Sequence, residues 1–326
     1  MKSFSNTSQL SVDRIGEAAR DLLKSGSQGR ILAIFSNAIY LNSICGELLW
    51  LVTENIPMHR RGIQICGDPP KVPIDSSFSV RGQHLVFGTD IDLDLSHAPI
   101  WISPSPNLDK LIPFEELPDR LRTVSCLFDG YPSPSGFGWF LAEITKNTIG
   151  NSLPGALHDT GPGLRYLRSA INKIILAWTT NDFPHILRTA EDLIGLGEGL
   201  TPSGDDFIGG LMFSSYVLQD IYSQYEGFTI SDVELFLDNS RNQTNLISYT
   251  MLKDLATGHA FDTLHHFINA ILTDKPLESI DNSGLELVGI GHSTGWDLLT
   301  GVWTGMLLSN GSRAAHSNSV PAIMSS

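Results

Sequence analysis

Two short stretches of the chain concentrate the residue types that chemistry needs. Gly195-Leu-Gly-Glu-Gly-Leu-Thr-Pro-Ser-Gly-Asp-Asp206 carries Gly195, Gly197, Gly199 and Gly204, the hydroxyls of Thr201 and Ser203, and the carboxylates of Asp205 and Asp206. Glycine at such density suits a backbone in unusual φ/ψ regions or one closely approached by a ligand. Thr201 before Pro202 has the order of an N-cap followed by a first-turn proline. Ser203 with Asp206 offers a second cap, a capping box with Asp in the Glu position. A helix is expected to start here on either reading.

Gly289-Ile-Gly-His-Ser-Thr-Gly-Trp-Asp297 has the same grammar, with Gly291, His292, Ser293, Thr294, Gly295 and Asp297. Ser203–Leu211 and Thr294–Val302 align without a gap, matching hydroxyl, glycine, carboxylate, apolar and small residues at every position but the third. Two helix N-termini that converge would present N–H groups and hydroxyls to one ligand, with Gly210 and Gly301 letting the helices pack closely. The chemistry expected is a cradle for phosphate, or the phosphate end of a substrate, between Thr201–Ser203 and His292–Thr294. Asp205, Asp206 and Asp297 leave three readings open: first-turn acids favouring their helix dipoles, groups orienting a substrate amine or His292, or ligands of Mg²⁺ shared with phosphate oxygens. His292, in a polar turn, is expected to move a proton or steady a leaving phosphate. Arg241 is either a bidentate anion ligand or a surface residue.

The elements that must position these residues change character along the chain. Ile31–Phe35, Leu48–Val52, Ile63–Cys66, Leu85–Phe87, Ile100–Ile102 and Val124–Leu127 are short apolar runs with strand spacing, and prolines at 69, 70, 73, 99, 104, 106 and 113 oppose a long helix among them. After Tyr131–Gly138 the apolar period becomes three to four, and helices are expected near Asp205–Ser223, Ser231–Leu237, Asn245–Ala256, Phe261–Leu272 and Thr294–Leu308. The fold class is therefore α+β, a β-rich N-terminal half followed by a mainly α-helical C-terminal half. The expected organisation is a leader or helix over 1–27, a β-rich domain over 28–130, a helical domain over 138–309 carrying both glycine-rich turns, and a flexible tail over 310–326.

The 326 residues are 41% hydrophobic, enough for one large core or two. With 21 basic and 35 acidic residues the net charge is −14, which argues against nucleic acid and anionic membrane as partners. Cys45, Cys66 and Cys126 have no paired spacing and lie in apolar runs, so they read as buried free thiols. Met1–Ser11 lacks a signal peptide's apolar core and no run reaches the ~18 residues of a membrane span. A cytoplasmic protein is expected, in which the sequons at Asn6 and Asn242 have no consequence.

The two turns, Gly197–Asp206 and Gly289–Asp297, resemble the family containing the AllH-like subunit of oxamate carbamoyltransferase, long catalogued as a domain of unknown function. Ala38-Ile-Tyr-Leu41 followed by Gly46-Glu-Leu-Leu49 is similar to the family's opening strands. The resemblance implies a transferase subunit that works with other carbamoyltransferase subunits to move a carbamoyl group between carbamoyl phosphate and oxamate, in allantoin and purine-nitrogen breakdown. Such a site polarises the carbamoyl carbonyl, brings the amide nitrogen to it and stabilises the departing phosphate. Two departures stand out: Glu198 replaces the family's usual proline, and neither turn contains Lys or Arg. The competing classes are a Mg²⁺-dependent hydrolase using Asp205, Asp206 and Asp297, and a non-catalytic ligand-binding or scaffold subunit.

Overall fold

The computed structural model describes residues 11–89, 91–149, 162–179 and 182–309; the expected tail over 310–326 and the first ten residues of the expected leader lie outside them. By internal contacts the chain forms two compact units. One runs to Pro104 and takes in Ala260–Asp262, and the other comprises Ser105–His259 and the chain from Thr263 onward.

The first unit is a nine-stranded sheet. In chain order it has β1 (Val12–Gly16), helix α1 (Glu17–Leu22), β2 (Gln28–Ile34), β3 (Ala38–Ser43), β4 (Leu48–Thr53), β5 (Gly62–Ile65), β6 (Ser77–Arg81), β7 (His84–Phe87), β8 (Ile91–Asp94) and β9 (Ile100–Trp101). The spatial order is β8-β7-β6-β2-β3-β4-β5-β1-β9. Pairing is antiparallel except for β4 with β5 and β1 with β9. Ile15, Ile31, Ile39, Leu41, Leu49 and Leu51, with side chains from β5 to β8, bury into one core. β6 and β8 escape notice as apolar runs because each alternates, as in Ser77-Phe-Ser-Val-Arg81, with one face inward and one polar face outward.

Two expectations fail in physical detail. Val124 is not in a strand: it closes α2 (Leu117–Ser125), where Leu117, Leu121 and Val124 are buried at helical spacing. The three cysteines are exposed rather than buried, Cys45 in the β3–β4 connection, Cys66 just past β5 and Cys126 just past α2. Cys66 follows the buried Ile63 and Ile65 out into solvent, whereas Ile44 beside Cys45 is itself 81% exposed.

The second unit is helical. After α2 come α3 (Leu141–Ile149), α4 (Pro162–Thr179), α5 (Phe183–Ala190), α6 (Ser203–Ile221), α7 (Ile230–Ser240), α8 (Leu246–Ala256), α9 (Asp262–Leu272, its first residue in the first unit), α10 (Leu277–Val288) and α11 (Thr294–Ser309). Of these, α10 gave no sequence signal, being polar and interrupted by Gly284, where an added Cβ would lie 2.0 Å from the Tyr131 hydroxyl. α6 and α11 occupy the centre: Gly204–Ser215 and Gly295–Ser309 are buried on all sides. A Cβ on Gly210 would lie 2.5 Å from the Leu298 carbonyl, and one on Gly301 would lie 2.0 Å from the Phe207 carbonyl. The two contacts are reciprocal, since Phe207 aligns with Leu298 and Gly210 with Gly301. Gly305 approaches Ser214 in turn, so the helices run side by side in the same direction with both N-termini at one end. Buried hydroxyls on α11 are satisfied locally, Thr300 donating to the Trp296 carbonyl and Thr304 to that of Thr300, both at 2.7 Å. Among the described residues no helix is long and apolar enough to cross a membrane.

Candidate functional site

The loop before α6 is built by glycine. Gly195 has φ +77 and a Cβ there would sit 2.3 Å from the Gln243 carbonyl; Gly197 has φ +123 and a Cβ would sit 2.6 Å from the Ser203 nitrogen. The chain therefore folds back over the first turn of α6 along a path closed to larger residues. The N-cap position of α6 is Pro202, with no side-chain cap, so neither Thr201 nor a Ser203–Asp206 box caps the helix. Their hydroxyls go elsewhere. Thr201 Oγ1 meets Thr294 Oγ1 at 3.0 Å, and Ser203 Oγ meets Ser293 Oγ at 3.2 Å. The two turns are thus one constellation, with four half-buried hydroxyls at the joined starts of α6 and α11.

Some backbone N–H groups of the turns are engaged within the fold. Those of Gly204 and Gly295 donate to the Leu196 and Ile290 carbonyls, and those of Asp206 and Asp297 to the Pro202 and Ser293 carbonyls. What these turns offer a ligand is the hydroxyl groups, the two helix dipoles and the N–H groups at the helix starts, such as those of Ser203 and Thr294, that donate to no carbonyl among the described residues.

The three carboxylates separate into two roles. Asp205 is a structural hub: Oδ1 accepts from the Gly195 N–H at 2.6 Å, while Oδ2 accepts from the Ser248 hydroxyl at 2.5 Å and from the Thr244 hydroxyl. It ties the glycine loop to α8 and to the turn before it. Asp206 and Asp297 instead form a buried pair, 3% and 0% exposed. Burial first, and then the charge of Asp297, hold the Asp206 carboxyl well above the usual carboxylate range, against the easing effect of the Thr201 and Thr294 hydroxyls. Burial pushes Asp297 up to about 6, opposed by the Phe137 N–H and the hydroxyls of Ser203 and Ser293. Oδ2 of each is buried without a hydrogen-bond partner. Both carboxyls are therefore harder to ionise than an exposed aspartate.

The Tyr131–Gly138 segment supplies residues that sequence reading missed. The Phe137 N–H donates to Asp297 Oδ1 at 2.6 Å, and Gly136, with φ +52, passes so close that an added Cβ would lie 2.2 Å from that oxygen. Phe137 stacks on Phe207 with ring centres 4.6 Å apart, and the Ser135 hydroxyl donates to the His292 carbonyl at 2.9 Å. The only sequence signal was the two glycines, Gly136 and Gly138, within Tyr131–Gly138. His292 itself is exposed beside the hydroxyl group, as are Gly197, Gly199 and Gly291. Arg241 is exposed at the end of α7, three residues from Thr244.

A comparison with known families now bears on the same residues. Residues 193–306 match the family model described as oxamate carbamoyltransferase subunit AllH. The AllH match begins just before Gly195 and ends within α11, so it takes in both glycine-rich turns, α6, and all three carboxylates. It covers about a third of the chain and lies within the helical half apart from Ala260–Asp262. The resemblance read from the two turns is borne out over that segment. No solved structure matches the chain.

A cavity of about 530 Å³ opens elsewhere in the helical unit, between the second half of α6, α7 and α8, lined by Met212, Tyr216, Phe228, Ile230, Val233 and Leu237 among others. No residue of either turn lines it. The hydroxyls and buried carboxylates that could do chemistry are instead at the helix starts.

Proposed function

We propose that this chain is a subunit of a carbamoyltransferase of the carbamoyl phosphate/oxamate type, and that the joined starts of α6 and α11 hold its phosphate-bearing substrate. The observation that carries this reading is the pair of hydroxyl contacts, Thr201 with Thr294 and Ser203 with Ser293, inside the AllH-matched segment. Four hydroxyls at two dipole-positive helix ends suit an anion's oxygens. A carboxylate this near an anion is unfavourable unless it is neutralised, and burial together with the charge of Asp297 shifts Asp206 in the direction that favours its neutral form.

In the transfer, the oxamate amide nitrogen attacks the carbamoyl carbon and phosphate departs. His292, at the exposed edge, takes the proton from nitrogen. The four hydroxyls orient the phosphate, and Asp206 and Asp297 act through them as positioning residues. The family description is of a subunit, which supports partner chains that complete the site and supply basic side chains that the turns lack.

The test is phosphate release from carbamoyl phosphate, dependent on oxamate, with the chain reconstituted with its partner subunits. Ser203→Ala with Thr294→Val, and separately His292→Ala, should lower the rate about 10²-fold in a complex that still assembles. Wild-type rates in both would leave the chain a scaffold.

A further inference from the structure

We propose that Asp206 and Asp297 hold a hard divalent cation of the Mg²⁺ type between the starts of α6 and α11, and that this ion supplies the positive charge the two turns lack. The proposal deepens the reading above and depends on it for the identity of the anion, though not for the ion itself.

Three observations converge. First, Asp206 and Asp297 are 3% and 0% exposed, yet Oδ2 of each has no hydrogen-bond partner. A buried carboxylate oxygen left unpaired is costly, and two in electrostatic contact are worse. Second, the oxygens around them are hard ligands: Thr201 and Thr294 beside Asp206, Ser203 and Ser293 beside Asp297. Third, neither turn has Lys or Arg to supply positive charge. A phosphate at the four hydroxyls would otherwise meet buried acid with no balancing cation.

Mg²⁺ is commonly held by one or two carboxylates, with water and substrate phosphate completing its shell. Among the described residues no group of three or more His, Cys, Asp or Glu side chains gathers as a metal site. Two carboxylates with hydroxyls would supply only part of the ion's shell, the rest coming from water and phosphate. Asp205 is outside this set, because both its oxygens already accept from Gly195, Thr244 and Ser248. A proton is the competing occupant, and binding the ion must expel it.

Mn²⁺ serves as the probe, its free concentration read by electron paramagnetic resonance in solutions of the full chain, with and without inorganic phosphate. The expected result is one Mn²⁺ per chain, displaced by Mg²⁺, bound with release of a proton in weakly buffered solution, and weakened at least about tenfold in Asp206→Asn and Asp297→Asn. Glu198→Gln, a change at an exposed acid in the same loop, should bind as wild type. Circular dichroism and urea unfolding check that each variant is folded; should the asparagine variants not fold, Thr201→Val with Ser293→Ala takes their place, and wild-type affinity in it overturns the proposal. No Mn²⁺ retained by folded wild type, with or without phosphate, also overturns it and gives the site to the proton. Phosphate binding unchanged by a chelator would overturn the ion while leaving the anion site standing. Mn²⁺ bound at the aspartates with no phosphate affinity would sustain the ion and sink the anion reading.

Discussion

Asp205 and Asp206 are neighbours on one helix and look interchangeable in the sequence, but they face different surroundings. Asp205 accepts from Gly195, Thr244 and Ser248, so Asp205→Ala strands three donors and should destabilise the chain by on the order of 3 kcal/mol in urea unfolding, whereas Glu198→Ala, at an exposed loop position, should change it by less than about 0.5 kcal/mol. Equal effects would mean that Asp205 is not the anchor of the glycine loop. Spacing did identify Asp205, Asp206 and Asp297 as first-turn acids of two helices. It could not sort them, because what distinguishes them comes from Thr244, Ser248, Gly136 and Phe137, which no local spacing rule connects to the turns. The hydroxyls were legible as polar groups at helix starts. Their role was misread as capping, since a Thr-Pro-Ser cap pattern looks the same whether its hydroxyls turn inward to their own helix or across to a neighbour.

Between elements, the governing contact is the parallel seam of α6 and α11. Here the sequence was informative: the ungapped match of Ser203–Leu211 with Thr294–Val302 anticipated paired helix starts, and the reciprocal approaches of Gly210 and Gly301 are its physical counterpart. Gly301→Ala places a methyl 2.0 Å from the Phe207 carbonyl and 3.0 Å from the Leu211 nitrogen, both backbone atoms, and should cost about 3 kcal/mol. Gly209→Ala meets only the movable end of Leu255, at 2.5 Å, and gains helix propensity, so its cost should stay below about 1 kcal/mol. Thermal unfolding of the two variants reads the difference; a Gly301→Ala protein as stable as its parent would contradict the close seam. Legibility faded where elements are polar or short. α10 has no clean apolar stripe, and Tyr131–Gly138 reads as a linker although it lays Gly136 and Phe137 against Asp297.

Across the whole molecule, the division into strands and then helices could be read from the change of apolar period, because both halves bury regular faces. The cysteines could not be placed, since an apolar neighbourhood in sequence does not fix which side of a turn a thiol occupies. The AllH match and the candidate site both fall in the helical half, and in the proposed reading a phosphate ligand relies on hydroxyls, helix ends and a cation rather than on basic side chains of the turns. The most direct measurement is a crystal structure of the full chain grown with Mg²⁺ and soaked with carbamoyl phosphate. The account predicts the phosphate within about 3 Å of the Thr201, Ser203, Ser293 and Thr294 hydroxyls. A ligand seated instead in the cavity lined by Met212, Tyr216 and Phe228, with both helix starts empty, would contradict it.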